Sequence, residues 1–144
     1  MRSLRWSKAG GEHYESKCPL ELMTDKMRMS FLAEPTDVNF SGKVHGGEVM
    51  RWIDQAGYAF AVKYSRGYAV TKWVDNIEFV NPMHIGDLVH IETTLMKSGN
   101  TSMTFHVEVG SENLKSGARV LNCQCDIVFV AVDASGNKRI LTHA

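Results

Sequence analysis

The segment from Gly46 to about Tyr64 carries the hydrophobic period of an amphipathic helix. Its main apolar stripe, with spacings of four, three and four residues, consists of Val49, Ile53, Ala56 and Phe60. A neighbouring stripe consists of Met50, Asp54, Gly57 and Ala61. Because few charges interrupt these stripes, we predict a long helix that protein covers around most of its girth.

Outside this segment, and above all after Gly67, apolar and polar residues alternate in the pattern of β-strands. We predict strands over residues 27–33, 89–95, 103–109 and 118–132, and a last short strand after a turn at residues 133–137. A curved antiparallel sheet wrapped around the helix would cover its apolar surface. The predicted fold class is therefore α+β, with one long central helix.

A turn signal, Ser98-Gly99-Asn100, separates two of the predicted strands. A three-residue loop at this turn places Val89 opposite Val109, which keeps the apolar side chains on one face. The same register places Glu92 opposite His106 on the wetter face, where opposite charges pair favourably.

The chain has 144 residues, with 16 Lys and Arg against 16 Asp and Glu. This length indicates one domain, which we place at residues 21–144 after a mobile lead-in of residues 1–20. The balanced charge argues against nucleic-acid binding, and the longest apolar run, Ile127–Val132, is too short to span a bilayer. Three cysteines cannot all pair, and the N-terminus lacks the apolar segment of a secretory signal, so we expect a reduced, cytoplasmic setting.

Asp54 is the main candidate for catalysis, because it lies on the predicted helix among Met50, Gly57 and Ala61. A carboxylate buried among apolar groups is costly unless it is paired or hydrogen-bonded. It is also suited to act as a general base. A structural aspartate, bonded to a backbone N–H or to a basic neighbour, fits the spacing about equally well.

The residues His45-Gly46-Gly47 open the predicted helix and allow a substrate to approach the backbone closely. The first N–H groups of a helix are unpaired and carry a positive partial charge, so they could polarise a carbonyl. Asp54 lies about two turns further along, roughly 10 Å in helical rise. A substrate whose carbonyl is bound at the helix N-terminus must therefore bend toward Asp54 of the same chain. Otherwise Asp54 of a neighbouring subunit must act on it.

Several motifs follow one another in a fixed order: Pro35-Thr36-Asp37-Val38-Asn39, the run from Gly42 to Met50, the run from Trp52 to Gly57, Val70-Thr71, Val74-Asp75, Asn81-Pro82, Gly86-Asp87, Thr101-Ser102-Met103 and the run from Phe129 to Asp133. In this order and spacing they resemble the hot-dog-fold acyl-CoA thioesterases, in the acyl-CoA hydrolase branch. The resemblance covers about residues 25–142.

The resemblance implies a sheet wrapped around the helix and two protomers joined edge to edge, with active sites at the dimer interface. Hexamers built from three dimers are common in this branch. No cofactor is implied, because coenzyme A is part of the substrate. A metal site is not expected either, since Cys123-Gln124-Cys125 lacks a second ligand pair.

Carried over residue by residue, the resemblance implies that Asp54 is the catalytic carboxylate. Asn39 of the partner protomer would position water or the thioester. Gly46 and Gly47 would lie near the thioester carbonyl. His45, which precedes them, is a further candidate there, although a loop histidine is more commonly a cap or a packing residue.

The resemblance also implies a route for the substrate. The pantetheine part of coenzyme A would be lined by Thr71, Trp73, Val74 and Asp75, and the nucleotide part by Lys97, Gly99, Thr101 and Ser102. The acyl tunnel would involve Met50, Ile53, Gly57, Tyr58 and Ala61.

The function implied is hydrolysis of acyl-CoA thioesters, with Asp54 as general base or as nucleophile. One alternative is a non-catalytic acyl-CoA sensor on the same fold, although no helix-turn-helix pattern precedes the domain. A second alternative is a hydratase or dehydratase, which needs a histidine aligned with a carboxylate. His45 and Asp54 fit that requirement poorly.

Overall fold

The computed structural model describes residues 25–141, which form a five-stranded antiparallel sheet with one α-helix packed across it. The strands are β1 (Lys26–Leu32), β2 (Ala69–Phe79), β3 (Leu88–Ser98), β4 (Ser102–Glu112) and β5 (Arg119–Ala131), and the helix is α1 (Gly46–Ser65). Their order across the sheet is β1-β3-β4-β5-β2. The predicted α+β class is confirmed, whereas the predicted lead-in of residues 1–20 lies outside the described residues.

Different residues fix the start and the end of α1. His45 is extended at the N-cap, and Glu48 places a negative charge in the first turn, where the helix dipole favours it. At the other end Arg66 adopts a left-handed backbone with a φ of 56°, and Arg139 Nη1 donates to the carbonyl of Ser65 at 3.1 Å. No helix formed by residues 25–141 combines the length and the apolar character that crossing a membrane requires.

One face of α1 packs against the inner face of the sheet. The main stripe of the sequence pattern, Val49, Ile53, Ala56 and Phe60, is buried throughout. The Phe60 ring lies 5.0 Å from the ring of Phe105 in β4. Because each large apolar side chain contributes about 1.5–3 kcal/mol on burial, this stripe decides which face of the helix meets the sheet.

The opposite face of α1 is exposed, which corrects the expectation of a helix covered around most of its girth. Met50 and Tyr58 are 45% and 40% exposed, and Asp54 between them is exposed as well. The second predicted stripe therefore divides into two parts. Met50 and Asp54 are exposed, whereas Gly57 and Ala61 are buried. A single sheet covers only one side of a helix, and the apolar pattern does not say what covers the other side.

α1 approaches β5 very closely at Gly57. A Cβ atom at this position would lie 2.7 Å from Cε2 of Phe129 and 3.4 Å from Cγ2 of Ile127. Phe129 is fully buried and makes an edge contact with Phe105, so its ring has no free space into which to move. The absence of a side chain at Gly57 therefore allows the helix to lie directly on the sheet.

The hairpin of β3 and β4 differs by two residues from the predicted register. Ile91 faces Val109, and Val89 faces Ser111. The turn lies further along the chain than predicted, at residues 99–101, and a bulge at Met96 compensates for part of the difference. Because the offset is an even number of residues, each side chain keeps its predicted face.

Two smaller expectations also change with the observed pairing. His106 faces Thr94 instead of Glu92, and its Nδ1 lies 2.8 Å from Oδ1 of Asp126 in β5. The last strand predicted after the turn at residues 133–137 is only a bridge between Val132 and Lys138.

β2 forms one edge of the sheet and has an unusually apolar exposed surface for an edge strand. Its exposed large apolar side chains are Val70, Trp73, Val74 and Phe79. One side of the strand pairs with β5, and no strand within the described residues lies on its other side. A long apolar edge with unpaired backbone groups is a surface on which another strand can add.

We predict that Gly57→Ala destabilises the fold, because its Cβ would overlap the fixed Phe129 ring. The expected loss in free energy of unfolding is about 1–3 kcal/mol. Gly47→Ala is the matched control, since nothing lies within 4 Å of a Cβ at that helical position. Denaturant unfolding at one protein concentration measures both variants, and equal stability of the two would contradict the packing role of Gly57.

Candidate active site

The Asp54 carboxylate is held by a hydroxyl group of the edge strand. Thr71 in β2 donates from Oγ1 to Oδ1 of Asp54 at 2.5 Å. Arg51, one turn earlier on α1, forms an ion pair with Glu48 instead. Asp54 forms no ion pair with any of residues 25–141. Its Oδ2 atom therefore remains available to a substrate or to water.

Asp54 is exposed in the single chain, which corrects the prediction of a carboxylate buried among apolar groups. It lies on the flank of α1 beside the edge strand β2, with Met50 one turn before it and Tyr58 one turn after it. These two apolar side chains are themselves exposed. A surface that covered them would also remove Asp54 from water.

Asn39 lies in a tightly hydrogen-bonded loop before α1. Its Oδ1 accepts hydrogen bonds from the N–H groups of Ser41 at 2.9 Å and Lys43 at 3.3 Å. Gly42 completes the turn with a φ of +72°, a conformation that favours glycine. Among residues 25–141, the side-chain hydrogen bonds of Asn39 use Oδ1 alone and do not reach Asp54. Its Nδ2 group therefore has no hydrogen-bond acceptor among the described residues.

The N-terminus of α1 presents two free backbone donors. The carbonyl of His45 accepts hydrogen bonds from Glu48 and Val49, and no backbone bond among the described residues uses the N–H groups of Gly46 and Gly47. Both glycines are exposed, and the side chain of His45 does not cap the helix. Glycine is a poor helix former and Gly47 has open space around it, so packing within the chain does not explain its presence.

A cavity of about 250 Å³ lies beside this helix N-terminus. Its apolar wall includes Phe79, whose ring lies 3.5 Å from the position of a Cβ at Gly46. Asn122 fixes the adjoining segment, since its Nδ2 donates to the carbonyls of Asn81 and Pro82 at 3.3 and 3.0 Å. The sequence pattern does not predict a functional role for Phe79 or Asn122. Phe79 has the pattern of an ordinary strand residue, and Asn122 lies at a bulge that the pattern does not predict.

The residues predicted for coenzyme A lie in separate places. Thr71 bonds to Asp54, and Val74 lies further along β2 on the same face of the sheet. Trp73 and Asp75 lie on the outer face, where the Lys72 ammonium is 4.8 Å from the Trp73 ring centroid.

The hairpin residues predicted for the nucleotide, Lys97, Gly99, Thr101 and Ser102, lie near the C-terminal end of α1. Ser98 Oγ is 3.1 Å from the hydroxyl of Tyr64, which follows Asp54 by ten residues, about 15 Å of helical rise. A single chain therefore keeps this hairpin apart from the Asp54 carboxylate. Their role in binding stays a prediction.

The residues predicted for the acyl tunnel divide into two groups. Ile53, Gly57 and Ala61 are buried against the sheet of their own chain and act there as packing residues. Met50 and Tyr58 remain exposed beside Asp54, and Tyr58 makes an edge contact with Tyr68 at 6.4 Å between ring centroids. The role of these five residues in binding an acyl group stays a prediction.

The two described cysteines are unsuited to nucleophilic catalysis. Burial raises the pKa of the Cys123 thiol, and burial, with the neighbouring Cys123, raises the pKa of Cys125 to about 12. Both stay protonated near neutral pH, and the thiolate is the reactive form. Within the described part of the chain, no cluster of three or more His, Cys, Asp or Glu side chains has the arrangement of a metal site.

The sequence profile of the Thioesterase superfamily matches residues 41–118, which include α1, β2 and the β3–β4 hairpin. The chain belongs to this superfamily. The acyl-CoA thioester hydrolase YciA of Salmonella typhimurium is 33% identical over 113 residues, covering 76% of this chain and 85% of that protein. VdlD of Helicobacter pylori is 32% identical over 108 residues, and the chain spans 62% of the length of that relative.

Solved structures of thioesterases have the same fold as this superfamily member. HI0827, a hexameric broad specificity acyl-coenzyme A thioesterase, was solved as a variant with an aspartate replaced by alanine. It superposes with a TM-score of 0.77 at 30% identity, covering 80% of this chain and 85% of that one. The hexameric thioesterase y2039 of Yersinia pestis gives a TM-score of 0.77 at 31% identity, covering 80% and 94%. The hot-dog fold expected from the sequence is confirmed.

We predict that the two described thiols of this thioesterase-superfamily chain resist alkylation and disulfide exchange in the native state. A Cys18→Ser variant leaves only Cys123 and Cys125. With a pKa of about 12 for Cys125, only about one thiol in ten thousand is ionised at pH 8. A chromogenic disulfide reagent should titrate two thiols rapidly after denaturation and slowly before it. Rapid native reaction would show that a thiol is accessible and ionised.

Proposed function

We propose that the chain hydrolyses acyl-CoA thioesters to a carboxylic acid and coenzyme A, and that a second copy of the chain completes its active site. The observation that carries the proposal is the Asp54 carboxylate, held by Thr71 at 2.5 Å and flanked by the exposed side chains of Met50 and Tyr58. Superfamily membership and the acyl-CoA hydrolases among its relatives support the same reaction.

The second copy is needed because one chain cannot bring the functional groups together. The N–H groups of Gly46 and Gly47 and the Nδ2 group of Asn39 belong to the N-terminal end of α1. Asp54 lies seven residues beyond Gly47, about 10 Å along the helix. If two copies of α1 run antiparallel, the N-terminal end of one lies beside Asp54 of the other. Each dimer then contains two equivalent sites.

The edge strand supports this arrangement. Pairing of β2 with β2 of a second copy would satisfy its free backbone groups and cover the exposed Val70, Trp73, Val74 and Phe79. The two copies of α1 would then lie side by side on one continuous sheet. Met50 and Tyr58 would be covered in the same step, and Asp54 would lose much of its contact with water. Three such dimers would give the hexamer named for HI0827 and y2039.

The thioester carbonyl would accept hydrogen bonds from the free N–H groups at the start of α1. These donors, helped by the helix dipole, stabilise the negative charge that develops on the carbonyl oxygen. Asp54 of the other copy removes a proton from water, and the resulting hydroxide attacks the carbonyl carbon. The C–S bond then breaks, and the proton passes to the leaving thiolate, which gives a carboxylic acid and free coenzyme A.

A second route uses the same carboxylate as the nucleophile. An oxygen of Asp54 attacks the carbonyl carbon directly, and the thiolate of coenzyme A leaves to give a mixed anhydride. Water then opens the anhydride and restores the carboxylate. In both routes the Thr71 hydroxyl occupies Oδ1 and leaves Oδ2 directed at the reaction. Asn39 Nδ2 of the copy that supplies the helix N-terminus would hold water or the thioester oxygen.

We predict that Asp54→Asn reduces thiol release from acyl-CoA by at least about 100-fold, since general base catalysis typically contributes a factor of this size or more. The measurement is release of free thiol across a panel of acyl-CoA chain lengths. Asp126→Asn is the control, because it removes a half-buried carboxylate that pairs with His106 on the outer face of the sheet, away from α1. Full activity in Asp54→Asn would contradict the assignment, and a wild type inactive on the whole panel would contradict the reaction itself.

A further inference from the structure

Phe40 is an apolar side chain presented fully to solvent by the loop that also carries Asn39. Its relative exposure is 113%, the highest among the large apolar side chains of residues 25–141. An aromatic ring that an ordered segment holds in solvent offers apolar surface on which another molecule can pack. Packing among residues 25–141 does not account for this residue.

The loop presents Phe40 in a defined position. Gly42 donates to the Asn39 carbonyl at 3.0 Å, and Asn39 donates to the Lys43 carbonyl at 2.8 Å. The rest of the protein anchors the loop as well, since Ile85 donates to the Gly42 carbonyl at 3.1 Å. The ring therefore projects from a hydrogen-bonded turn with a built conformation.

A complementary surface lies beside Asp54. Met50 and Tyr58 are exposed apolar residues one turn before and one turn after the carboxylate. In the dimer proposed above, Asn39 of one copy reaches Asp54 of the other. Phe40 is the next residue on the same hydrogen-bonded turn, so in that dimer it comes within reach of the same part of the partner helix.

We infer that Phe40 of one copy packs against Met50 and Tyr58 of the other and forms the end wall of the acyl-binding site. This inference rests on the proposed hydrolase function and deepens it, because it assigns the preference for acyl chain length to a residue contributed by the second copy. The ring limits the space beyond Asp54. Short acyl groups gain contact with the ring, and long acyl groups are obstructed by it.

The test compares kcat/KM for a short, a medium and a long acyl-CoA in Phe40→Ala and Phe40→Trp. Removal of the wall should raise the long-to-short ratio about tenfold or more, and the larger indole should lower it, since pocket contacts discriminate by factors of this size. Ile140→Ala is the matched control, because Ile140 is an exposed apolar residue, at 70%, near the other end of α1. Its ratio should equal that of the wild type.

A second measurement detects the contact between position 40 of one copy and α1 of the other, and it does not depend on enzyme activity. A photoreactive benzoyl-phenylalanine at position 40, in a mixture of isotopically light and heavy chains, should cross-link to the peptide that contains Met50 or Tyr58 of the other copy. Cross-links confined to one chain, or to a different segment of the partner, would overturn the inference. Native mass spectrometry shows whether each variant still assembles.

The outcomes separate this inference from the proposed function. A wild type without thioesterase activity would reject the function, while the cross-link would still decide the contact. An active wild type with unchanged ratios in both Phe40 variants would reject Phe40 as the wall. A change in ratio with Phe79→Ala alone would place the acyl group in the cavity beside Gly46 and would also reject it.

Discussion

The close packing of α1 on β5 at Gly57 is the constraint on which the rest of the structure depends. A side chain at this position would come within 2.7 Å of the buried Phe129 ring. With the helix pressed against the sheet here, Ile53, Gly57 and Ala61 must face inward, and Asp54 must face away from the core. The same orientation brings Asp54 to the hydroxyl of Thr71 on the edge strand. The position of the Asp54 carboxylate therefore follows from how the core is packed.

This orientation leaves one chain with an incomplete site. The carboxylate is exposed, two apolar residues beside it are exposed, and no strand formed by residues 25–141 pairs with the outer side of β2. A carboxylate in open water is a weak base, and hydrogen-bond donors act more strongly on a carbonyl when water is excluded. Assembly of two copies would address each of these features at once. We therefore propose that the dimer is the catalytic unit and that oligomerisation is part of the mechanism.

Much of the fold could be predicted, because the spacing of apolar residues along the chain reflects which side chains of a helix or strand are buried. The stripe from Val49 to Phe60 and the inward residues of β5 are read directly from apolar spacing, and they form the core. The register of β3 and β4 could not be read in this way, since a bulge at Met96 and an even offset leave the apolar pattern unchanged. The exposure of Asp54 was also missed, because an apolar stripe looks the same whether its own sheet or a second copy covers it. Asn39 would have been an ordinary loop residue without the resemblance to a family.

The central claim is that each active site takes Asp54 from one copy and Asn39 from another. Two inactive variants, Asn39→Ala and Asp54→Asn, test it most directly when they are unfolded together, refolded and assayed for thiol release. In mixed dimers one of the two sites receives both native residues, so activity should return to as much as about a quarter of the wild-type value when half of the dimers are mixed. Each variant refolded alone serves as the control and should stay inactive. Failure of the mixture to regain activity, with mixed dimers confirmed by native mass spectrometry, would show that both residues act within one chain.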